Sequence, residues 1–384
     1  MKTNPLPRVG ILGAGQLGKM LAVAAAPYHL PLSAIDKSSD SPAAPYLQRF
    51  VAGDFKQYDD VLAFGRTVDV LTIEIEHVNT AALHRLVEEG ITVHPRPGAL
   101  DTIKDKGLQK QFYEANDLPT APFRLWKDDT EVKAALGEGL LSYPFVQKSR
   151  EAGYDGKGVA IIRSAADLPK LIAAPCITET LIPFAKELAV IAARRPSGEV
   201  RTYPAVEMVF HPTANLVERL ACPAAIPPAV EAAARALAIR TIEAYDLCGL
   251  LAVEMFLTTD GELLINEVAP RPHNSGHQTI ESCPTSQFEQ HLRAILDWPL
   301  GDTAPHAPSV MVNLLGAKGH RGKTSYAGLE DCLQLPGVHL HLYGKAETRP
   351  FRKMGHATVV HTDAVEAAKL AETVKSKLRI IAAT

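Results

Sequence analysis

Two glutamates in the middle of the chain are predicted to lie side by side on a β-hairpin. The segments Leu250 to Leu257 and Glu262 to Val268 flank Asp260-Gly261, a dipeptide that strongly favours a two-residue turn. If these two residues form the centre of the turn, Glu254 faces Glu267 directly across the hairpin. The same register predicts two further pairs, Phe256 with Ile265 and Thr259 with Glu262.

This pairing of like charges predicts a cation between the two carboxylates. Opposed side chains on neighbouring strands approach to about 5 Å, and two negative charges there repel unless a cation or a shared proton offsets them. Mg²⁺ fits best, because it prefers oxygen ligands and commonly links carboxylates to substrate phosphates. Two alternatives remain: a one-residue shift of the register, or an edge at which both carboxylates face water.

A polar loop follows the second strand of the hairpin and carries groups suited to acyl or phosphoryl transfer. Arg271 offers a planar fork for a carboxylate or oxyanion, and His273 and Asn274 offer further hydrogen bonds to developing charge. Loops that leave a buried strand commonly carry chemistry. The alternative is a structural loop with one satisfied histidine.

Two other segments could hold phosphate groups. Lys148 ends an apolar strand and precedes the glycine-rich segment 151–158, whose backbone N–H groups could cover phosphate oxygens, although it does not match the P-loop pattern. A basic cluster near the C-terminus could bind one phosphate. Its members are Lys345, Arg349, Arg352 and Lys353. An ordinary hairpin tip and a solvated basic surface are the respective alternatives.

The N-terminal segment contains a glycine motif that admits two interpretations. Residues 13–18 match the G-x-G-x-x-G pattern between a predicted strand and a predicted helix, and Asp36 ends the next strand at a suitable distance for a ribose contact. One interpretation is therefore NAD binding. The other is that the glycines only permit a tight turn and close packing.

Strands and helices alternate through the first hundred residues, which predicts a parallel sheet covered on both faces. The predicted strands are Arg8 to Leu12, Leu32 to Ile35, Val68 to Ile75 and Ile91 to Val93. The prolines among residues 94–98 predict a boundary near residue 100. Beyond it we expect a helix from Asp101 to Asn116, a long helix from Pro227-Pro228 to about Asp246, and several further strands.

The composition excludes several classes of protein. The chain has 384 residues, of which 46% are hydrophobic and 22% charged, as in globular proteins of two or three domains. With 40 basic against 43 acidic residues and no basic block, nucleic-acid binding is disfavoured. The five cysteines have no C-x-x-C spacing, and no apolar run is long enough to cross a membrane. We therefore expect a reduced, cytoplasmic protein with small-molecule partners.

Taken together, these motifs resemble the ATP-grasp superfamily and, within it, the 5-(carboxyamino)imidazole ribonucleotide synthases of purine biosynthesis. The resemblance runs nearly end to end. The motifs that carry it are Ile11-Leu-Gly-Ala-Gly-Gln-Leu-Gly-Lys-Met20, Gly153-Tyr-Asp-Gly-Lys-Gly158, Leu264-Ile-Asn-Glu-Val-Ala-Pro-Arg271, His273-Asn-Ser-Gly-His277, Ser286-Gln-Phe-Glu289 and Arg352-Lys-Met-Gly-His356.

The resemblance implies a mixed α/β and α+β architecture with the ATP-grasp fold. The implied parts are an N-terminal Rossmann-like domain (1–101), a small flap domain (102–182) and a C-terminal mixed α+β domain that carries the metal and substrate sites (183–384). The implied reaction is ATP-dependent carboxylation of 5-aminoimidazole ribonucleotide by bicarbonate through carboxyphosphate, with ADP and phosphate as the other products. Mg²⁺ would be required, and the enzyme would be a homodimer.

The resemblance also implies roles for individual residues. Those that would hold ATP are Lys106, Lys148, Tyr154, Asp155, Gly156, Lys157, Gly158, Glu179, Ile182, Glu187, His211, Asn266 and Glu267. Glu254 and Glu267 would bind Mg²⁺, and Arg271, His273 and Asn274 would hold bicarbonate. The imidazole nucleotide would meet Glu76, Tyr154, Asp155, Lys345 and Arg352, with Glu74 as the alternative to Glu76. The N-terminal glycines would then bind no NAD.

Three positions depart from the pattern of the family. Lys106 stands where arginine is usual, Pro272 where a β-branched residue is usual, and Phe351 where glycine is usual. These departures concern local geometry rather than the class of reaction. The competing functions are a formate-dependent glycinamide ribonucleotide transformylase, a biotin carboxylase, an NAD(P) oxidoreductase and a nucleotide sensor without turnover.

Overall fold

A computed structural model of the chain describes residues 6–151, 158–210 and 216–383. The predictions for Tyr154, Asp155, Gly156, Lys157 and His211 therefore lie outside the described residues. No helix of the described part is long and apolar enough to cross a membrane. All five cysteines are buried and none is in a disulfide.

The N-terminal region forms the predicted parallel sheet with helices on both faces. Its strands are β1 (Val9–Leu12), β2 (Leu32–Asp36), β3 (Arg49–Ala52), β4 (Val70–Ile73) and β5 (Thr92–Val93), and its helices are α1 (Gln16–Ala25), α2 (Tyr58–Gly65) and α3 (Thr80–Glu88). The strand order β3-β2-β1-β4-β5 is that of a Rossmann-like sheet. Strand β3 was not predicted, because its residues are only half-buried or exposed and show no apolar run.

The predicted helix over residues 101–116 is wrong, since two shorter helices occupy this region. They are α4 (Pro97–Lys104) and α5 (Lys106–Ala115). Asp105 separates them with an extended backbone, and its carboxylate accepts hydrogen bonds from Gly107 N at 2.7 Å and Leu108 N at 3.3 Å. Arg150 Nε also donates to this carboxylate at 2.9 Å. Asp105 thus starts α5 and ties it to the neighbouring sheet.

The next region is a four-stranded antiparallel sheet. Its elements are β6 (Phe123–Trp126), α6 (Asp129–Gly137), β7 (Phe145–Ser149), β8 (Val159–Ile162) and β9 (Cys176–Thr180). The strand order is β6-β9-β7-β8, and β7 pairs with β8 as the sequence predicts. Lys148 stands near the end of β7, so this sheet presents it to the rest of the molecule.

A large antiparallel sheet forms the centre of the molecule. Its strands are β10 (Phe184–Arg194), β11 (Val200–Thr202), β12 (Val206–Phe210), β13 (Val217–Cys222), β14 (Gly249–Thr258), β15 (Leu263–Ala269), β16 (Ser309–Leu315), β18 (Val338–Leu342) and β20 (Lys353–Val360). Apart from β11, which pairs with β10, the order is β15-β14-β10-β12-β13-β16-β20-β18. The predicted long helix is α7 (Pro228–Ala244), and it covers β10 and β14.

The remaining elements complete the C-terminal half. They are α8 (Thr279–Ser282), α9 (Gln287–Ile295), β17 (Gly322–Ala327), α10 (Leu329–Leu333), β19 (Glu347–Thr348), α11 (Ala364–Lys377) and β21 (Arg379–Ala382). Strands β19, β17 and β21 form a small separate sheet. Leu17 and Met20 of α1 share a buried cluster with Phe288 and Leu292 of α9, so apolar packing joins the N-terminal sheet to the central one.

Replacing Asp105 should test how strongly α5 is fixed. We expect Asp105→Ala to lower the free energy of unfolding by about 2 kcal/mol, because the helix loses its cap and Arg150 loses its carboxylate. Urea unfolding measures this loss. Asp128, which caps α6 through Thr130 N and Glu131 N, is the matched control. Equal losses in Asp105→Ala and Asp128→Ala would show that the Arg150 contact adds nothing.

Candidate active site

A cleft of about 1120 Å³ lies between the four-stranded sheet, the β14–β15 hairpin and the N-terminal sheet. Most of the predicted site residues that the structure describes line it. They are Glu76, Lys106, Lys148, Glu179, Ile182, Glu187, Glu254, Asn266, Glu267, Arg271, His273 and Asn274. Of the predicted residues within the described ranges, Gly158, Lys345 and Arg352 are not part of its wall. One cavity therefore collects groups that are far apart in sequence.

The predicted pairing of Glu254 with Glu267 is confirmed. The two residues are direct cross-strand neighbours on β14 and β15, and both side chains face the cleft. The register shifts at the next position, where Met255 pairs with Ile265. Asn266 is therefore an extra residue in β15, a β-bulge, and its side chain faces the same cleft.

The register predicted nearer the turn is wrong by one residue. Phe256 pairs with Leu264, and Thr258 N donates to Glu262 O at 2.8 Å. Phe256 does not pair with Ile265, nor Thr259 with Glu262. The loop has three residues rather than two, and Gly261 ends it with φ of 87°. The bulge at Asn266 then shifts β15 by one residue, so Glu254 meets Glu267 after all.

The two paired glutamates have opposite electrostatic surroundings. Burial raises the pKa of Glu254, and the charge of Glu267 raises it further. The ammonium of Lys106 contacts the Glu267 carboxylate, and its charge holds the pKa of Glu267 below its usual range. His273 Nε2 lies 3.4 Å from Glu254 Oε1. Burial lowers the pKa of His273 to about 3, so its ring is neutral at physiological pH. Its Nδ1 accepts a hydrogen bond from Ser275 N, which leaves the proton on Nε2.

A buried row of alternating charges lies deeper in the cleft. Glu179 Oε1 is 2.7 Å from Lys110 Nζ, and Glu179 Oε2 is 2.7 Å from Lys148 Nζ. Lys148 Nζ also donates to Asn266 Oδ1 at 2.8 Å. These lysines lower the pKa of Glu179 to about 2 although burial opposes the shift, and burial lowers the pKa of Lys110 to about 8.

Lys110 pairs with a residue of the cleft wall and was not among the predicted residues. It lies one helical turn after Lys106 on α5 and is 2% exposed. The sequence signal that could have indicated Lys110 is its spacing of four residues from Lys106, which places both lysines on the same face of the helix. The burial of Lys110 depends on Glu179, which lies 69 residues further along the chain. No local pattern could therefore indicate that this lysine is buried.

The opposite end of the cleft is apolar. The rings of Phe184 and Phe256 stack with centroids 4.9 Å apart, and Ile182 lies in the same wall. Glu187 pairs with Phe256 across β10 and β14. Burial raises the pKa of Glu187 to about 7, with Lys148 opposing the shift. This wall suits a flat, weakly polar ligand group beside one hydrogen-bonding carboxyl.

The glycine-rich turn after β1 binds carboxylates of the protein itself. Gly15 N and Gly18 N donate to the two oxygens of Glu74, and Ala14 N donates to Asp36 Oδ2 at 2.9 Å. A Cβ on Gly15 would lie 2.7 Å from Glu74 Oε1. The amides that would hold a pyrophosphate in a dinucleotide site therefore serve internal contacts, which disfavours the NAD interpretation.

Glu76 occupies a different position from Glu74. Its Oε1 lies 2.8 Å from Arg271 Nε, a close ion pair whose angle falls short of a hydrogen bond. Both side chains are about a fifth exposed and line the cleft. Arg271 also donates through Nη1 to Pro272 O at 3.0 Å. An anchored guanidinium thus stands between the N-terminal sheet and the hairpin.

Asn274 forms a reciprocal amide pair with Asn313 of β16. Asn274 Nδ2 donates to Asn313 Oδ1 at 2.9 Å, and Asn313 Nδ2 donates to Asn274 Oδ1 at 3.0 Å. Asn313 Nδ2 also donates to Val217 O at 2.8 Å. Because a backbone carbonyl only accepts, this third contact fixes the orientation of both amides. Asn313 was not among the predicted residues, because no motif marks it.

The predicted phosphate-binding residues of the C-terminal region lie beside the cleft. Lys345 Nζ donates to Lys353 O at 2.8 Å, and the Arg352 guanidinium donates to Glu347 O. The side chain that reaches the wall from this cluster is that of Lys353. The cluster thus adjoins the end of the cleft formed by the N-terminal sheet and Arg271.

Phe351 has a backbone conformation that favours glycine. It lies at the third position of a turn in which Arg352 N donates to Arg349 O at 3.1 Å, and its φ is 62°. Glycine favours this left-handed conformation, whereas another residue there is strained by about 1 kcal/mol. The chain therefore keeps the turn with a less suitable residue.

Three family models match successive parts of the chain. The ribonucleotide synthetase preATP-grasp domain matches residues 6–104, the ATP-grasp domain 111–288, and the phosphoribosylaminoimidazole carboxylase C-terminal domain 309–370. With the sheets and the cleft described above, these matches define an ATP-grasp ligase.

The N5-carboxyaminoimidazole ribonucleotide synthase of Synechococcus elongatus is 38% identical over 386 residues, covering 98% of this chain and 96% of the relative. The chain belongs to the N5-carboxyaminoimidazole ribonucleotide synthase family. The corresponding synthetase of Thermotoga maritima has a TM-score of 0.90 at 40% identity, covering 98% of this chain and 100% of that one. The Aspergillus clavatus enzyme in complex with ADP and 5-aminoimidazole ribonucleotide has a TM-score of 0.89 at 34% identity, with coverages of 97% and 98%. The chain spans 64% of the longer phosphoribosylaminoimidazole carboxylase of Schizosaccharomyces pombe.

Glu187→Gln should stabilise the protein more at pH 8 than at pH 5. The native protein retains the Glu187 proton up to pH 7, whereas the unfolded chain releases it near the ordinary pKa of 4.5. The stability that the retained proton of Glu187 contributes to the wild type is therefore lost as the pH rises from about 4.5 to 7. The glutamine variant has no such loss. The difference in unfolding free energy between the two proteins should change by up to about 3 kcal/mol across this range.

Urea unfolding at both pH values measures this difference. The control is Glu114→Gln on the exposed side of α5, which should have the same small effect at each pH. A pH-independent effect of Glu187→Gln would contradict the assignment of a raised pKa.

Proposed function

We propose that this enzyme uses ATP and bicarbonate to carboxylate the amine of 5-aminoimidazole ribonucleotide, through carboxyphosphate, with ADP and phosphate as the other products. It acts as a cytoplasmic homodimer, divided at residues 101 and 182 into three domains. The single observation that carries the proposal is the Glu254–Glu267 pair, which faces two lysines in one cleft. The complex of the Aspergillus clavatus relative supports the choice of substrate.

The residues present fit Mg²⁺ as the partner of this pair. Two adjacent carboxylates supply hard oxygen ligands, and no cluster of three or more His, Cys, Asp or Glu side chains within the described ranges would make a closed metal site. Glu254 and Glu267 would hold the ion at the end of the cleft that Lys106 and Lys148 enter. When bound, it would offset charge on the triphosphate and on the transferring phosphoryl group.

The surrounding side chains position the nucleotide. Lys106 and Lys148 bind its phosphates, since both ammonium groups enter the cleft beside the carboxylate pair. The base lies against the apolar wall around Ile182 and Phe256, and Glu187 accepts or donates a hydrogen bond there. Glu179 acts indirectly, because both its oxygens are engaged by Lys110 and Lys148, and it sets the position of Lys148.

Bicarbonate binds between the hairpin and the N-terminal sheet. Arg271 directs an oxygen of bicarbonate at the terminal phosphorus of ATP, and the bond from that phosphorus to the ADP oxygen breaks as carboxyphosphate forms. The amine of the imidazole nucleotide then takes the carboxyl group and phosphate leaves. His273 is neutral and hydrogen-bonds rather than carrying charge, and the amide of Asn274 has a fixed orientation.

The imidazole nucleotide occupies the end of the cleft near Arg271. Glu76 faces that end, whereas both oxygens of Glu74 are held by the glycine-rich turn, and this contrast supports Glu76 as the substrate contact. The phosphate of the nucleotide binds at Lys345 and Arg352, with Lys353 as an additional cation at the wall.

The decisive experiment is a substrate-dependence assay of ADP release. We expect release only when ATP, bicarbonate and 5-aminoimidazole ribonucleotide are all present, with radiolabel from bicarbonate entering the product. Release that requires formate and glycinamide ribonucleotide, or biotin, would assign one of the competing ATP-grasp reactions instead. ATP binding without any release would indicate a sensor.

Glu267→Gln should lower turnover by at least about a hundredfold, because one charged ligand at the transferring phosphate is lost. Steady-state ADP release at saturating substrates measures this. Glu262→Gln, an exposed residue beside the turn of the same hairpin, is the control and should retain wild-type turnover. Near-normal activity of Glu267→Gln would remove the carboxylate pair from the mechanism.

Arg352→Ala should raise the KM for the imidazole nucleotide more than the KM for ATP, because Arg352 is placed at the nucleotide phosphate. Arg349→Ala is the matched control, since it removes the same charge from an exposed position three residues earlier. If the two variants behave alike, the effect is one of general charge and Arg352 makes no specific contact.

A further inference from the structure

Lys106 engages a carboxylate that would also hold a divalent cation. Its ammonium forms an ion pair with Glu267 Oε2, and its side chain is 15% exposed. Glu267 is in turn the direct neighbour of Glu254. An oxygen of Glu267 that bonds to the ammonium has less negative charge to offer a metal ion, so the two cations compete for one carboxylate.

The backbone of Lys106 is tightly held, which limits where its ammonium can go. Lys106 is the first residue of α5, and the preceding Asp105 caps that helix and pairs with Arg150. Lys106 N donates to Arg150 O at 2.9 Å, at the end of β7. Only the side chain of Lys106 can therefore change position. From its fixed backbone it can reach the carboxylate pair and the cleft beside Lys148.

We propose that Lys106 is a tethered counter-ion of Glu267 that a divalent cation must displace, so that the cation binds well only together with a nucleotide whose phosphates receive the released ammonium. The proposal rests on the proposed function, since it takes Glu254 and Glu267 as the metal ligands. By thermodynamic linkage, the cation and the nucleotide then raise each other's affinity.

Lys148 provides a matched comparison within the same cleft. It is also a buried lysine, but its Nζ is held by Glu179 Oε2 at 2.7 Å and Asn266 Oδ1 at 2.8 Å. Its direct contacts do not include Glu267. Removing the charge of Lys148 should therefore affect Glu267 less than removing the charge of Lys106, which contacts it directly.

The test measures Mn²⁺ binding to the full chain without nucleotide, by the electron paramagnetic resonance signal of free Mn²⁺. We expect Lys106→Met to bind Mn²⁺ at least roughly tenfold more tightly than wild type, because the competing charge is gone. Lys106→Arg should stay near the wild-type affinity, and Lys148→Met should gain less than Lys106→Met, because Lys148 acts on Glu267 only through its charge at a distance. Adding Glu267→Gln to Lys106→Met should abolish the gain. A second neutral variant, Lys106→Gln, and circular dichroism spectra separate this effect from misfolding.

Repeating the titration with a non-hydrolysable ATP analogue completes the test. The analogue should tighten Mn²⁺ binding more in wild type than in Lys106→Met. Equal Mn²⁺ affinities of folded Lys106→Met, Lys106→Gln and wild type would overturn the role of Lys106 and leave the proposed reaction intact. If wild type binds no Mn²⁺ even with the analogue, the metal role of the carboxylate pair fails, and this inference fails with it.

Discussion

Two like charges held side by side are the constraint on which the rest of this site depends. In a poorly solvated cleft, repulsion between Glu254 and Glu267 would separate the side chains or leave one of them protonated. The fold prevents separation, because both residues belong to paired strands and the bulge at Asn266 keeps them on one face. The two carboxyl groups then have different neighbours, since the ammonium of Lys106 contacts Glu267, whereas the neutral ring of His273 lies 3.4 Å from Glu254.

Contacts between charged and polar side chains also join the two sheets that form the cleft. Lys148 of the four-stranded sheet contacts Asn266 of the central sheet, and Glu179 fixes Lys148 together with Lys110. A buried ion pair is costly when one partner is missing, so these contacts restrict how the sheets approach each other. Their main effect is to fix the relative position of the two sheets rather than to stabilise the fold. A bulge residue that turns into the cleft supplies the acceptor for this contact, which links the geometry of the hairpin to the placement of Lys148.

The sequence predicts the elements of this site better than the contacts between them. The hairpin and its carboxylate pair follow from local turn and strand preferences, yet the predicted register was right at Glu254 only because a three-residue loop and the bulge at Asn266 compensate. No glycine or proline marks that bulge. The glycine motif was open to two interpretations, because Glu74, which fills it, lies 56 residues after Gly18. Likewise the split of the predicted helix at Asp105 depends on a carboxylate whose partner, Arg150, comes from another sheet.

A second row of contacts explains how the segment after Arg271 is held in place. Three adjacent strands carry Asn313, His356 and His341 in one register row. The facing side chains, spaced by three and four residues, are Asn274, His277 and Glu281. Asn274 forms the amide pair with Asn313. The rings of His277 and His356 have centroids 4.7 Å apart, and His341 Nε2 lies 2.6 Å from Glu281 Oε1. A 3₁₀ turn at Asn274–Gly276 leads into α8 at Thr279, and paired strands lie about 4.8 Å apart, so this segment crosses the sheet with one side chain on each of the three strands. Because β20 begins with Lys353 at the cleft, these contacts fix the loop that follows Arg271 relative to the end of the sheet that carries Lys353.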